Sequence, residues 1–109
     1  MANTYKVLAQ SNPSATTATT LYTCGAASGA VVSTITICNQ ASSAGSYRVA
    51  VRPAGATLAT QHYVAYDIAI AANDTTALTL GITLANTDVI TVYASSATMS
   101  FSAFGSEIS

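Results

Sequence analysis

The chain has 109 residues, enough for one domain with a real hydrophobic core. Only 6% of them are charged and the formal net charge is -1, with Lys6, Arg48 and Arg52 as the fixed cations; a soluble globular domain typically carries ~25%. That composition argues against a nucleic-acid partner, which needs many phosphates neutralised, and against a polybasic membrane anchor, and no apolar run approaches the ~20 residues of a helical membrane span.

The opening decapeptide, MANTYKVLAQ, has neither a charged leader nor an apolar signal segment, which argues against a secretory route. The first predicted strand is Thr4–Gln10, with Tyr5, Val7 and Ala9 on one face and Lys6, Leu8 and Gln10 on the other. Asn12-Pro13 breaks it. A second strand is read from TTLYTC, ending at Cys24, and Gly25–Gly29 forms a flexible turn.

Ala30–Arg52 is the most regular stretch. In AVVSTITIC the alternation sets Val31, Ser33, Ile35 and Ile37 against Val32, Thr34, Thr36 and Cys38. In SYRVAVR it sets Tyr47, Val49 and Val51 against Arg48, Ala50 and Arg52. Branching at Cβ favours extended backbone in both runs. The link from Asn39 to Gly45 is long for a tight hairpin, so the two strands either pair directly or cross between two sheets.

Pro53 ends that run, because proline cannot donate to a central ladder. PAGATLAT is then a short excursion pivoting at Gly55 and pinned by Leu58. Gln61–Ile70 reads as a strand with His62, Val64, Tyr66, Ile68 and Ile70 in one phase and Tyr63, Ala65 and Asp67 in the other. Thr75–Leu84 reads as one strand in which Gly81 marks a bulge or bend. Asp88–Ala94 follows, and Met99, Phe101 and Ala103 alternate in the last strand, with Phe104 just beyond. No segment has a helical stripe with caps. The expectation is an all-β fold, an antiparallel β-sandwich of about eight strands in a single domain over residues 1–109, either jelly-roll-like or immunoglobulin-like.

Chemistry is sparse, and no enzyme activity is expected. The single histidine, His62, has no recognisable nucleophile elbow to serve and reads as a surface residue. Asp74 and Asp88 sit in Asn-containing turns, where each either caps its own turn or contributes to a cation site. The spacing lacks a calcium loop, and Cys24 and Cys38 without clustered histidines make a weak zinc case, so no metal or cofactor is expected. The two cysteines are either a disulfide or two thiols. Six tyrosines offer apolar faces with polar tips, suited to a core edge, a subunit contact or sugar stacking. Tyr5, Lys6, Arg48, Arg52, His62 and Tyr63 are the candidate interface residues.

YKVLAQSNPSATTATTLYT, ITICN, RVAVRPAGATLATQHYVAYD and IAANDTTALTLGITLANTDVITVYAS span nearly the whole chain. Together they resemble small virion structural proteins of tailed bacteriophages, including those infecting cyanobacteria. Where those proteins commonly carry a Val-Pro-Ala-Gly-like turn after LYT, this chain has Cys24-Gly25-Ala26-Ala27. The resemblance implies a non-enzymatic virion component assembled in the host cytoplasm, either a capsid decoration or cement protein or a tail, neck or fibre module with a receptor- or carbohydrate-binding role. It implies the major capsid protein or other virion subunits as partners, and a homo-oligomer, a trimer among the options. The segments Met1–Gln10 and Ser102–Ser109 are expected to reach a neighbouring subunit.

Overall fold

The computed structural model describes residues 3–108. Among these residues it is all-β, with nine strands: β1 (Asn3–Ser11), β2 (Thr19–Thr23), β3 (Ala30–Asn39), β4 (Gly45–Arg52), β5 (Tyr63–Ile70), β6 (Thr75–Leu78), β7 (Ile82–Leu84), β8 (Val89–Ala94) and β9 (Met99–Ile108). One sheet runs β1-β9-β3-β6, with β7 following β6 along the same strand, β3. The other runs β2-β8-β4-β5. Every pairing is antiparallel.

β3 and β4 belong to different sheets, so the link between them, residues 40–44, is a crossover and not a hairpin. Asn39 holds it. Its buried amide donates to the carbonyls of Ser43 (3.0 Å) and Ala71 (3.1 Å), and its Oδ1 accepts from the Ala41 N–H (3.1 Å). One side chain thereby joins the crossover to the turn after β5.

The core lies between the sheets. Ile35 and Ile37 of β3, Tyr47 and Val49 of β4, Ile90 and Val92 of β8, and Met99, Phe101 and Ala103 of β9 are all at most 1% exposed. Tyr47 and Phe101 meet edge to face across the layer, with ring centroids 6.4 Å apart. β8 is buried on both faces from Val89 to Val92, unlike a strand with one face in water.

Strand existence follows the alternation, but face assignment departs from it wherever an extra residue interrupts the ladder. On β3, Ala30 and Val32 point inward, Ser33 is the inserted residue, and Ile35 and Ile37 then point inward. The grouping of Val31 and Ser33 with Ile35 is therefore corrected. The partner strand supplies Gly105 at this point, where a Cβ would run into the backbone of Val31 and Val32. On β1 the insertion is Leu8, which half-buries both Leu8 and Ala9 and leaves Tyr5 and Val7 outside. On β2 it is Leu21, which buries Leu21 and Tyr22 in succession.

Other boundaries move too. Thr75–Leu84 is two strands, not one, broken at Gly81, whose φ of +62° suits a residue without a Cβ. Gln61 and His62 belong to a 3-10 turn (Thr60–His62) and not to β5. The last strand continues past Ala103 to Ile108, where it pairs with β1 from Asn3↔Ile108 to Ser11↔Phe101. The two terminal segments are thus each other's partners within the chain; Met1, Ala2 and Ser109 lie outside the described residues.

Candidate functional site

The outer face of the β2-β8-β4-β5 sheet carries most of the unusual chemistry. β4 presents Arg48, Ala50 and Arg52 there, as its alternation requires. The excursion after Pro53 folds over one half of this face. Arg52 fastens it: Nε donates to Thr91 Oγ1 at 2.9 Å, and one terminal nitrogen donates to the carbonyls of Ala56 (3.0 Å) and Gly55 (3.4 Å). Asp88 adds a second tie by accepting from the Ala54 N–H at 2.8 Å. At the far end His62 Nδ1 accepts from the Ala59 N–H at 3.0 Å, so the histidine closes a turn.

The other half of the face is built around Arg48. Tyr47 pairs with Ile68 and Val49 with Ala65, so one residue of β4 stands opposite Tyr66 and Asp67 of β5. The extra residue is accommodated by Asp67 at φ +49°, a conformation that a short polar side chain tolerates better than most. This turns the Asp67 carboxylate onto the guanidinium: Nε–Oδ1 is 2.6 Å and Nη2–Oδ2 is 3.3 Å. The guanidinium also lies 4.2 Å from the ring centroids of both Tyr66 and Tyr93. The Asp67 hydrogen bonds push the Arg48 pKa up, so the group stays charged. Tyr63 meets Tyr66 at 4.9 Å between centroids and 82° between planes.

Between this stack and the excursion runs an open groove of about 600 Å³ lined by Leu58, Ala59, Thr60, Tyr63 and Tyr66. Leu58 thus does not simply pin the excursion; it forms one wall of the groove. The insertion at Asp67 also overturns the expected phase of β5. Val64 and Tyr66 are exposed, whereas Ala65 and then Ile70 are buried.

The sequence candidates divide between two places. Arg48, Arg52, His62 and Tyr63 all belong to the β4–β5 region. Tyr5 and Lys6 lie on β1, an edge strand that packs beside β2 at the opposite flank of the sandwich. There Tyr5 is 80% exposed and Val7 51%. Lys6 Nζ sits 2.7 Å from Glu107 Oε1, and the Tyr22 hydroxyl donates to Glu107 Oε2 at 2.5 Å. The Lys6 contact first, and the Tyr22 hydrogen bond second, hold the Glu107 carboxyl below the usual carboxylate range. Burial, and then the hydrogen bond to Glu107, raise the Tyr22 phenol well above its ordinary value.

The remaining candidates resolve locally. Asp74 caps its own turn by accepting from the Thr75 N–H (2.8 Å), and Asp88 does the same from Ala85 (2.9 Å). Cys24 and Cys38 are free thiols. They lie at opposite ends of the sandwich, Cys24 by Ala26 near the start of β3 and Cys38 near its end, opposite Ser100 and Thr75. Tyr66, Tyr93, Asp67, Leu58 and Thr60 were not singled out as site residues from the sequence. The alternation sets Tyr63 and Tyr66 in opposite phases; an extra residue at Val64, between the Val49–Ala65 and Ala50–Tyr63 pairs, places both on the outer face, and the insertion at Asp67 brings its carboxylate onto Arg48 beside them.

No protein-family model, curated protein or solved structure gives a significant match to this chain.

Proposed function

We propose that this chain is a non-catalytic virion structural protein, a decoration or cement subunit that binds the shell of a tailed bacteriophage. The observation that carries the reading is the β1 flank: a nine-residue edge strand with Tyr5 and Val7 exposed and the charge of Lys6 neutralised by Glu107. Edges left this open are templates for another chain unless charge or proline blocks them. Contacts made of backbone hydrogen bonds and apolar surface also resist salt better than exposed ion pairs. As cement, the protein acts by binding energy alone: it bridges neighbouring capsomers and stabilises the assembled state over the separated one. Its partners are the major capsid protein or other virion subunits, and further copies of itself.

We infer further that the sandwich is a jelly roll. The support is the strand order, β1-β9-β3-β6 over β2-β8-β4-β5, in which the chain passes repeatedly from one sheet to the other and only β4 and β5 are consecutive neighbours. Viral capsid and lectin domains use that architecture, which favours the reading by analogy of fold alone.

A second reading, a tail, neck or fibre module, is favoured by one observation, the tyrosine-lined groove. Cryo-electron microscopy of a particle carrying the protein separates the two. Density at regular positions on the icosahedral shell, touching adjacent capsomers, is the expected result. Density confined to the tail or the unique vertex overturns the cement reading.

A further inference from the structure

We propose that the groove between the Leu58–Thr60 turn and the Tyr63/Tyr66 pair is a binding site for a neutral oligosaccharide. The ligand class is argued from what lines the groove, and the site stands whichever position in a particle the protein occupies.

Its shape comes first. Two rings set at 82° make a corner, and Leu58 and Thr60 form the facing wall. The volume, about 600 Å³, lies within the ~300–1,000 Å³ of clefts that hold small molecules. The corner is also rigid. Tyr66 is 53% exposed, yet it is stacked on Arg48, which is itself fixed by two hydrogen bonds to Asp67 and by Tyr93. A side chain already immobilised loses little further freedom when a ligand arrives, which favours weak, shallow sites of this kind. The positive φ of Asp67 is the local strain that makes the arrangement.

Charge selects the ligand. The two cations near the groove are both occupied: Arg48 by a carboxylate and two rings, Arg52 by Thr91 and two carbonyls. Neither offers a free fork to a phosphate, sulfate or carboxylate. Asp67 is committed to Arg48, so a cationic ligand finds no open counter-ion either. What remains is apolar ring surface interleaved with the hydroxyls of Thr60, Tyr63 and Tyr66. A pyranose has the matching surface, one patch of C–H groups flanked by hydroxyls that both donate and accept. A purely aliphatic ligand would bury those three hydroxyls without partners, at a cost.

The test is a heteronuclear NMR titration of the full chain with three probes in turn: cellohexaose, maltohexaose and mannohexaose. At least one is expected to give saturable shifts confined to residues 58–66 and their neighbours on β4, with a dissociation constant of ~1 mM or below. Tyr63→Ala removes one wall, and Thr60→Arg places a charged side chain across the mouth from an exposed turn. Each should weaken that binding about tenfold or more, which corresponds to ~1.4 kcal/mol, while the spectrum keeps the dispersion of the parent fold. No saturable shift at the groove with any of the three sugars overturns the proposal. So does binding that persists unchanged in both variants, which would place the sugar elsewhere. Neither outcome touches the shell-binding reading, which the particle density decides.

Discussion

At the scale of single residues, the core contains one polar atom that is out of place. Tyr47 is fully buried, and among the described residues its hydroxyl finds no hydrogen-bond partner. Burial raises its pKa, so the phenol stays protonated. The ring is needed, since it fills the layer against Phe101. The oxygen is not. Removing a buried donor that has no partner recovers its desolvation cost, of order 1 kcal/mol. Tyr47→Phe is therefore expected to raise the melting temperature by roughly 4 °C, measured by circular dichroism; an unchanged or lower value would mean that the hydroxyl has a bonding role. Asn39 is the opposite case, a buried amide with its partners in place. The sequence shows both residues but not the difference between them. The alternation groups Tyr47 with Val49, and both are buried, whereas whether a hydroxyl meets a partner depends on strands far away in the chain.

At the scale of elements, alternation locates the strands well and their faces less well. The faces of β4 and the first half of β9 agree with it, because no inserted residue falls between Tyr47 and Val49 on β4 or between Met99 and Ala103 on β9. β1, β2, β3 and β5 each contain a register shift, and one extra residue reverses every side chain beyond it. The site was hidden for the same reason. Arg48 and Tyr63 are legible as candidates, but the alternation sets Tyr66 in the phase opposite to Tyr63, and the extra residue at Val64 that joins the two on one face has no sequence signal. β1 supports a separate prediction. If its free edge carries assembly, the double variant Tyr5→Lys and Val7→Lys should abolish association with the particle while leaving the monomer within about 0.5 kcal/mol of the parent, as exposed substitutions usually do. Co-sedimentation with particles and a denaturant melt measure the two effects. Retained association with an intact monomer would remove the edge from the contact.

At the scale of the whole molecule, the two sheets are held by more than their apolar layer. Glu107 of β9 joins Lys6 of β1 and Tyr22 of β2, so a polar clasp spans the sheets at one flank. Its carboxyl titrates below the ordinary range, so the folded state binds this proton less readily than the unfolded chain does. The clasp therefore contributes stability above the unfolded value of ~4.3, and that contribution is lost as pH falls through the lower folded value. Glu107→Gln should accordingly flatten the fall in melting temperature as pH drops below about 5. A parallel decline in parent and variant would show that the clasp is not coupled to folding.

The place of β9 has one more consequence, and it concerns synthesis. This strand lies between β1 and β3, and among the described residues β1 has no other ladder partner. Until residues 99–108 have left the ribosome, β1 must wait with both edges open. The β1-β9-β3 part of its sheet then closes only in a search over most of the described residues, whereas β3 can pair with β6 and β7 earlier. Such long closures make folding slow, on the ms–s scale, and the waiting edges are what nascent chains aggregate through. A protein built this way should gain more in yield from slower expression at low temperature than from any substitution in its core.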